Sequence, residues 1–127
     1  MNHSPNIPLF TVSGIVSLGG QFARTLGYPT VNIPLGEHHF SGSFVGVVEY
    51  CGATYNAGLY ADPERGILEA HLFGFTKDIY GEPVRVLVFK KIREKEAFAN
   101  LEDLKLAIKN DMEFALQYNQ KLTKIPK

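Results

Sequence analysis

The sequence has one cysteine, no tryptophan, no excess of either charge and no apolar run long enough to cross a membrane. A single cysteine, Cys51, excludes an internal disulfide and a paired-cysteine metal knuckle, and it is typical of a reducing compartment. Thirteen basic residues balance thirteen acidic ones, which disfavours proteins that bind DNA or RNA by neutralising phosphates. The N-terminus lacks the pattern of a signal peptide. We therefore expect a cytoplasmic protein with no membrane or nucleic-acid partner, and a monomer.

The 127 residues are enough for one domain, with a core at about residues 10–118. Between Phe10 and Phe89 the apolar residues are β-branched or aromatic, and glycine and proline interrupt them at short intervals. This pattern is typical of an antiparallel barrel or sandwich. The predicted strands are Phe10–Val16, Val31–Ile33, Ser43–Glu49, Thr54–Gly58, Ile67–Phe73 and Val84–Phe89.

A helical period begins after Arg93. Apolar residues then recur at steps of three and four, at Leu101, Leu104, Ile108, Met112 and Ala115. Asn100 is a suitable N-cap, and acidic residues follow it in the first turn. We predict a helix from Leu101 to about Tyr118, with its apolar stripe buried against the barrel and closing one open side. The last residues, Lys121–Lys127, are expected to be frayed.

The segment from Gly14 to Asn32 is rich in glycine and carries one arginine, Arg24. Glycines allow backbone N–H groups to approach phosphate oxygens, and arginine holds anions with two donors. Thr30 and Asn32 are two residues apart, so an extended backbone places their side-chain oxygens on one side, where they suit Mg²⁺. On spacing alone, a glycine-rich hairpin whose threonine and asparagine satisfy turn hydrogen bonds is an equally good interpretation.

The fifth predicted strand alternates cleanly. Leu68, Ala70 and Leu72 point one way, whereas Glu69 and His71 point the other way. The sixth strand alternates in the same manner, with its valines at 84, 86 and 88 on one face and Arg85, Leu87 and Phe89 on the other. A strand glutamate outside the apolar face lies either in a pocket or in solvent, and the alternation alone favours solvent.

Several motifs, taken in order, resemble the riboflavin kinase (flavokinase) family. The family's signature region corresponds to Gly14, Val16, Gly19, Arg24, Leu26, Gly27, Pro29, Thr30 and Asn32. Further matches follow in the family's order, at Asn56–Gly58, Leu68–Leu72, Asp78–Gly81 and Ile92–Phe98. Each motif alone is unspecific, but their common order over about residues 10–118 is not. The match is to the kinase domain of bifunctional riboflavin kinase/FAD synthetases, whose adenylyltransferase half a chain of this length cannot contain.

The resemblance implies a mostly β fold, a six-stranded antiparallel Greek-key barrel with a long C-terminal α-helix. It implies transfer of the γ-phosphoryl group of ATP to the 5′-hydroxyl of riboflavin, which yields FMN and ADP. Glu69 would then be the general base, and Tyr80 and Arg93 would lie at the flavin, although Arg93 also suits a surface ion pair. The implied nucleotide-binding residues are Gly14, Gly19, Arg24, Gly27, Thr30 and Asn32, of which Thr30 and Asn32 would also bind Mg²⁺.

Two departures from the family pattern keep other functions open. Ala23 stands where the family has a glycine, and the compact link Leu59–Gly66 replaces a longer loop. A non-catalytic flavin- or nucleotide-binding regulator is therefore the second interpretation, although a pure binder has no use for Glu69. An oligonucleotide-binding barrel is the third, and the balanced charge argues against it.

Overall fold

A computed structural model describes residues 7–17, 30–75 and 77–123, without the side chains of residues 119–123. Its elements are β1 (Phe10–Ile15), β2 (Thr30–Pro34), β3 (Gly42–Tyr50), β4 (Ala53–Asp62), β5 (Ile67–Leu72), β6 (Pro83–Arg93) and α1 (Leu101–Thr123). Each predicted strand is present. β4 and β6 continue beyond the predicted ends Gly58 and Phe89 because both remain paired with β3 there.

The strands form one antiparallel sheet in the order β1-β6-β3-β4-β5-β2. The sheet curls into a half-barrel whose two edges touch just beyond β1. There Ser17 and Asn32 form a β-bridge, and the Ser17 N–H donates to the Asn32 carbonyl oxygen at 2.8 Å. The prediction of a mostly β fold with six antiparallel strands and a C-terminal helix is confirmed. Curling lets the edge strands protect one another from further strand pairing.

The inner face of the curled sheet holds the main core. On β5 the predicted alternation is confirmed, since Leu68, Ala70 and Leu72 are all buried there. The same holds for the alternating valines of β6. Phe89, which was expected to face away from the valines, is also buried. A register shift opposite Val45 and Gly46 explains this difference, because a β-bulge breaks the strict alternation.

Helix α1 packs on the outer face of β3 and β4. A Cβ atom at Gly58 would lie 2.7 Å from Met112 Sδ, so the glycine permits this close approach. Val45 is paired with Gly58, and with Met112 and Ala115 it is fully buried. These residues form a second, smaller core under the helix. The helix thus covers a wall of the half-barrel and does not close an open side, which corrects that prediction.

The start and end of α1 also differ from the prediction. The Asn100 side chain accepts a hydrogen bond from the Asp103 N–H at 2.9 Å, as expected of an N-cap. Leu101, however, is 51% exposed, and Leu104 and Ile108 are only half-buried, so the stripe packs on the sheet only in the second half of the helix. The helix continues to Thr123, past the predicted end at Tyr118. No helix in the described part of the chain is long and apolar enough to span a membrane.

Candidate functional site

The outer face of β2, β5 and β4 brings together polar residues that are distant in the sequence. Thr30 is paired with His71, and Asn32 is paired with Glu69. On the other side of β5, Glu69 is paired with Tyr60. Directly paired residues of antiparallel strands share a face of the sheet. The strand register therefore makes Asn32, Glu69 and Tyr60 a row of neighbours, with Thr30 and His71 in the next row.

A cavity of about 250 Å³ lies between this face and α1. The apolar part of its wall comes from the helix and from the segment before it. The residues that contribute this part are Phe98, Leu104, Ile108 and Met112. Glu69 and His71 belong to the polar part of the same wall. The half-burial of Leu104 and Ile108 follows from this arrangement, because both face the cavity instead of the sheet.

Glu69 and His71 are joined by a short hydrogen bond. His71 Nε2 lies 2.6 Å from Glu69 Oε1, and the two side chains are only 9% and 18% exposed, respectively. The bond fixes one carboxylate oxygen and leaves Oε2 without a hydrogen bond to any described residue. An oriented carboxylate with one free oxygen at a cavity wall can accept a proton from a bound ligand.

Asn32 is the unusual polar residue of the site. It is 2% exposed, yet neither Oδ1 nor Nδ2 has a hydrogen-bond partner among the described residues. Leaving a buried polar group unpaired costs about 1–3 kcal/mol, so such groups in native proteins need an explanation, such as a bound ligand or ion. Because the neighbour of Asn32 on the same strand face, Thr30, carries a hydroxyl, the pair suits a polar ligand or a hard cation.

A metal ion here would have to rely on neutral oxygen ligands and on the ligand's own atoms. Within the described ranges, no group of three His, Cys, Asp or Glu residues could hold a metal. Asn32 Oδ1 and the Thr30 hydroxyl are the kind of oxygen that Mg²⁺ accepts when phosphates and waters complete its shell. The unpaired Asn32 oxygen therefore fits such an ion.

An ion pair fixes α1 to the sheet at the edge of the cavity. Arg93, the last residue of β6, donates to Asp111 through Nε at 3.1 Å and through Nη2 at 2.9 Å. The Ser43 hydroxyl donates to the same carboxylate at 3.0 Å. The Arg93 guanidinium also lies 5.4 Å from the centre of the Phe98 ring. Arg93 is thus both a cavity residue and part of an ion pair.

A second cluster of charges surrounds the end of β4. Asp62 accepts from Arg65 Nε at 2.8 Å and from Lys95 Nζ at 3.0 Å. Burial alone would raise the Asp62 pKa, but the hydrogen bonds from Arg65 and Lys95 outweigh it and lower the pKa to about 2. Burial raises the pKa of the nearby Tyr60 phenol. The Lys95 contact attaches the segment between β6 and α1 to β4, and that segment supplies Phe98 to the cavity.

The structure places the predicted site residues unevenly. Glu69 and Arg93 line the cavity, and Thr30 and Asn32 lie beside Glu69 and His71 on the adjacent strand. Tyr80 is 57% exposed in a turn and does not line this cavity, and Gly14 packs against Ile33 and Pro34 of β2. The remaining predicted nucleotide-binding residues, Gly19, Arg24 and Gly27, lie outside the described residues. The roles given to all of these residues stay predictions.

Some cavity residues carried no clear signal in the sequence. The sequence gives a partial indication for Asp111, since it is an acidic residue beside the apolar stripe of α1. It gives none for Ser43, Tyr60 and Arg65, because only the sheet register and the fold of the β4–β5 turn bring these residues to the cavity.

A second depression, more open and about 650 Å³ in volume, lies around the β3–β4 hairpin. Gly14 and Arg85 line it, and Arg85 forms an exposed pair with Glu49 at 2.6 Å. It contains neither the buried amide nor the oriented carboxylate of the first site. The cavity under α1 is therefore the better candidate.

Comparisons with known proteins agree with this architecture. The model of the flavokinase family, described as riboflavin kinase, matches residues 8–119. The bifunctional riboflavin kinase/FMN adenylyltransferase of Buchnera aphidicola subsp. Schizaphis graminum is 32% identical over 123 residues, which are 86% of this chain and 38% of that protein. The protein of the same name from Escherichia coli K12 is 35% identical over 111 residues, 80% of this chain and 36% of that protein.

A similar solved structure is described as a macrolide-efflux protein from Streptococcus pneumoniae. It superimposes with a TM-score of 0.71 at 28% sequence identity, over 85% of this chain and 36% of that one. The chain thus spans well under half the length of the relatives it matches. Over that span the order of its motifs, its fold and its residues match one family, and the chain belongs to the flavokinase, or riboflavin kinase, family.

Proposed function

We propose that this chain is a riboflavin kinase domain that transfers the γ-phosphoryl group of ATP to the 5′-hydroxyl of riboflavin, giving FMN and ADP. One observation carries the proposal. Glu69, in the wall of a cavity with an apolar side, is directly paired with Asn32, whose buried amide has no hydrogen-bond partner among the described residues. The Glu69 carboxylate therefore lies between two binding places. The apolar side of the cavity suits a flat organic ring, and Asn32 suits a charged polar ligand.

The cavity suits the flavin side of this reaction. Its apolar wall can cover the flat isoalloxazine ring, and Phe98 supplies an aromatic surface. The bond between Arg93 and Asp111 keeps α1 at a fixed distance from the sheet. Riboflavin would then extend its ribityl chain from the apolar wall towards Glu69. Tyr80 lies away from this cavity, so its flavin contact requires a part of riboflavin that reaches the turn.

The nucleotide would lie on the β2 side of Glu69. Thr30 and Asn32 would hold Mg²⁺ through their side-chain oxygens, and the ion supplies neutralisation of phosphate charge when bound. Asn32 Nδ2 would donate to a phosphate oxygen, which satisfies the second unpaired atom. We assign the rest of the nucleotide site to Gly14, Gly19, Arg24 and Gly27, as the family resemblance implies.

Glu69 would act as the general base. The ribityl 5′-oxygen forms a bond to the γ-phosphorus, the bond from that phosphorus to the β–γ bridging oxygen breaks, and ADP leaves with that electron pair. The hydroxyl proton passes to the free oxygen of Glu69. His71 orients the carboxylate through the 2.6 Å bond. In the alternative, His71 itself takes the proton.

The non-catalytic interpretation has less support. Its arguments are Ala23 and the short connection after Gly58, where the structure continues β4 to Asp62 and leaves only a turn before β5. Family membership and the placement of Glu69 beside Asn32 favour catalysis.

The test is direct: purified protein is incubated with riboflavin, ATP and Mg²⁺, and FMN is measured by chromatography. We expect FMN to form, and to be lost when a chelator removes the metal. Riboflavin binding without any FMN formation would instead support the regulator.

A further inference from the structure

Arg65 is a cavity residue that the reaction described above leaves without a role. It lies in the turn between β4 and β5, lines the cavity under α1, and has a side chain that is 52% exposed. Its Nε donates to Asp62 Oδ2 at 2.8 Å, which anchors the base of the guanidinium. Its two Nη groups make no hydrogen bond to any described residue. An anchored guanidinium with a free pair of donors suits an anion that arrives from outside.

The other arginine of the cavity is in a different state. Arg93 places Nε and Nη2 on the two oxygens of Asp111, so that carboxylate is largely committed to Arg93. Asp62, in contrast, divides its oxygens between Arg65 and Lys95. One carboxylate thus faces two cations, and Arg65 keeps positive charge to offer to a ligand. Among the described cavity residues, Arg65 is the arginine whose two Nη groups both lack a hydrogen-bond partner.

The position of Arg65 relates it to the reacting end of the substrate. Glu69 is close enough to raise the Arg65 pKa electrostatically, after the larger contribution of the Asp62 hydrogen bond. Both residues line the same cavity. Riboflavin is uncharged, whereas a phosphate monoester carries about 1.5 to 2 negative charges at neutral pH. The transferred group therefore brings negative charge to the place where Glu69 acts, within reach of a cation.

We propose that Arg65 binds the phosphoryl group on the flavin side of the reaction, so that it selects phosphorylated over unphosphorylated flavin. This inference rests on the proposed kinase function and assigns the residue that binds its product. The Nη donors hold oxygens of the phosphate once it is attached to the ribityl chain, while Asp62 keeps the guanidinium in place. Riboflavin, which lacks those oxygens, gains little from Arg65. The ring-binding wall then holds both flavins alike, and the β4–β5 turn sets the difference in affinity between FMN and riboflavin.

The experiment compares two ligands on matched variants. Riboflavin and FMN are titrated with wild type and with Arg65→Gln, and binding is followed by the quenching of flavin fluorescence. We expect FMN affinity to fall about tenfold or more in Arg65→Gln, since hydrogen bonds to charged groups are the stronger ones, and riboflavin affinity to change less than about twofold. Arg85→Gln is the matched control, because Arg85 is similarly exposed and also donates through Nε to one carboxylate, outside the cavity.

Two further measurements keep the inference open to refutation. Added KCl should weaken FMN binding to wild type more than to Arg65→Gln, since salt screens exposed charge. Arg65→Lys, which keeps the charge, should retain more FMN affinity than a neutral variant. If Arg65→Gln does not fold, Arg65→Met replaces it, because methionine also removes the charge and keeps much of the side-chain length. Equal losses for both flavins, or an unchanged FMN affinity, would overturn the role of Arg65 while leaving the kinase proposal intact. A wild type that binds neither flavin would instead overturn the kinase proposal and this inference with it.

Discussion

The two faces of β5 perform different tasks with alternate residues of one short strand. On the inner face, Leu68, Ala70 and Leu72 are buried in an apolar core. On the outer face, Glu69 and His71 are hydrogen-bonded to each other beside a cavity. They lie next to the buried amide of Asn32, which has no hydrogen-bond partner among the described residues. Successive residues of one strand thus serve the core and the candidate site in turn.

The largest expected effect lies on the outer face. Glu69→Gln keeps the size and hydrogen bonding of the side chain but cannot take the proton, so FMN turnover should fall by about 10²–10⁴-fold. Steady-state assays would measure this, and riboflavin binding and the thermal midpoint should stay near the wild-type values. His71→Ala is the companion variant. Near-normal turnover in Glu69→Gln together with loss of turnover in His71→Ala would make His71 the base.

On the inner face, the matching change should affect folding. Leu68→Ala should destabilise the protein by about 2–5 kcal/mol, because it leaves a cavity in the main core. Leu104 is a half-buried residue of the cavity wall. Leu104→Ala should lower the free energy of unfolding by only about 1 kcal/mol, because Leu104 buries less apolar surface than Leu68. It should weaken riboflavin binding as well. Denaturant unfolding measures both costs, and equal costs would show that Leu104 packs on the sheet after all.

Substitution of Asn32 should affect ligand binding and not stability, in contrast to substitution of a core residue. Asn32→Ala removes an amide that has no partner in the described structure, so the free energy of unfolding should stay unchanged or rise slightly. Binding of Mg-ATP should weaken, while riboflavin binding should be kept. Calorimetric titration with Mg-ATP measures the first effect. An unchanged Mg-ATP affinity in both Asn32→Ala and Thr30→Ala would refute the assignment of the metal to these residues.

The last expected effect appears only in acid and concerns the end of β4. The Asp62 pKa is lowered to about 2 in the folded protein, against about 3.9 in an unfolded chain. A lowered folded pKa stabilises the protein above the unfolded value, and this stabilisation is lost as the pH falls from about 4 to about 2.

We expect this contribution to be about 1–2 kcal/mol, because its partners Arg65 and Lys95 are partly exposed. Unfolding of Asp62→Asn, measured from pH 6 to pH 2, should lack this part of the acid sensitivity. Glu49→Gln, in an exposed ion pair with Arg85, serves as the control. A variant as acid-sensitive as wild type would contradict the assignment.

The fold was largely predictable because local patterns determine much of it. Alternation identified β5 and β6, and the helical period identified α1 with its N-cap Asn100. The strand ends were less predictable. The Lys90–Arg93 end of β6 looks like a polar link, and only pairing with β3 makes it a strand. The exposure of Leu101 was not predictable either, because it depends on how the first turn of α1 lies relative to the sheet.

The site was predictable only where residues lie close in sequence. Thr30 and Asn32, or Glu69 and His71, are two residues apart, so an extended backbone places each pair on one face. That the two pairs adjoin depends on the register between β2 and β5, which is a property of the whole sheet. The same is true of Arg93 and Asp111, whose ion pair exists only because α1 folds back over β3. Family resemblance supplied roles for some of these residues, but not their arrangement.

The contact between Gly58 and Met112 makes the ligand cavity easy to alter in evolution. Met112 is both a wall of the cavity and the residue that an added methyl group at position 58 would displace. Methionine is flexible, so a small side chain at Gly58 would displace the Met112 side chain, which lines the cavity. One mutation could thus reshape the cavity without disturbing the inner core.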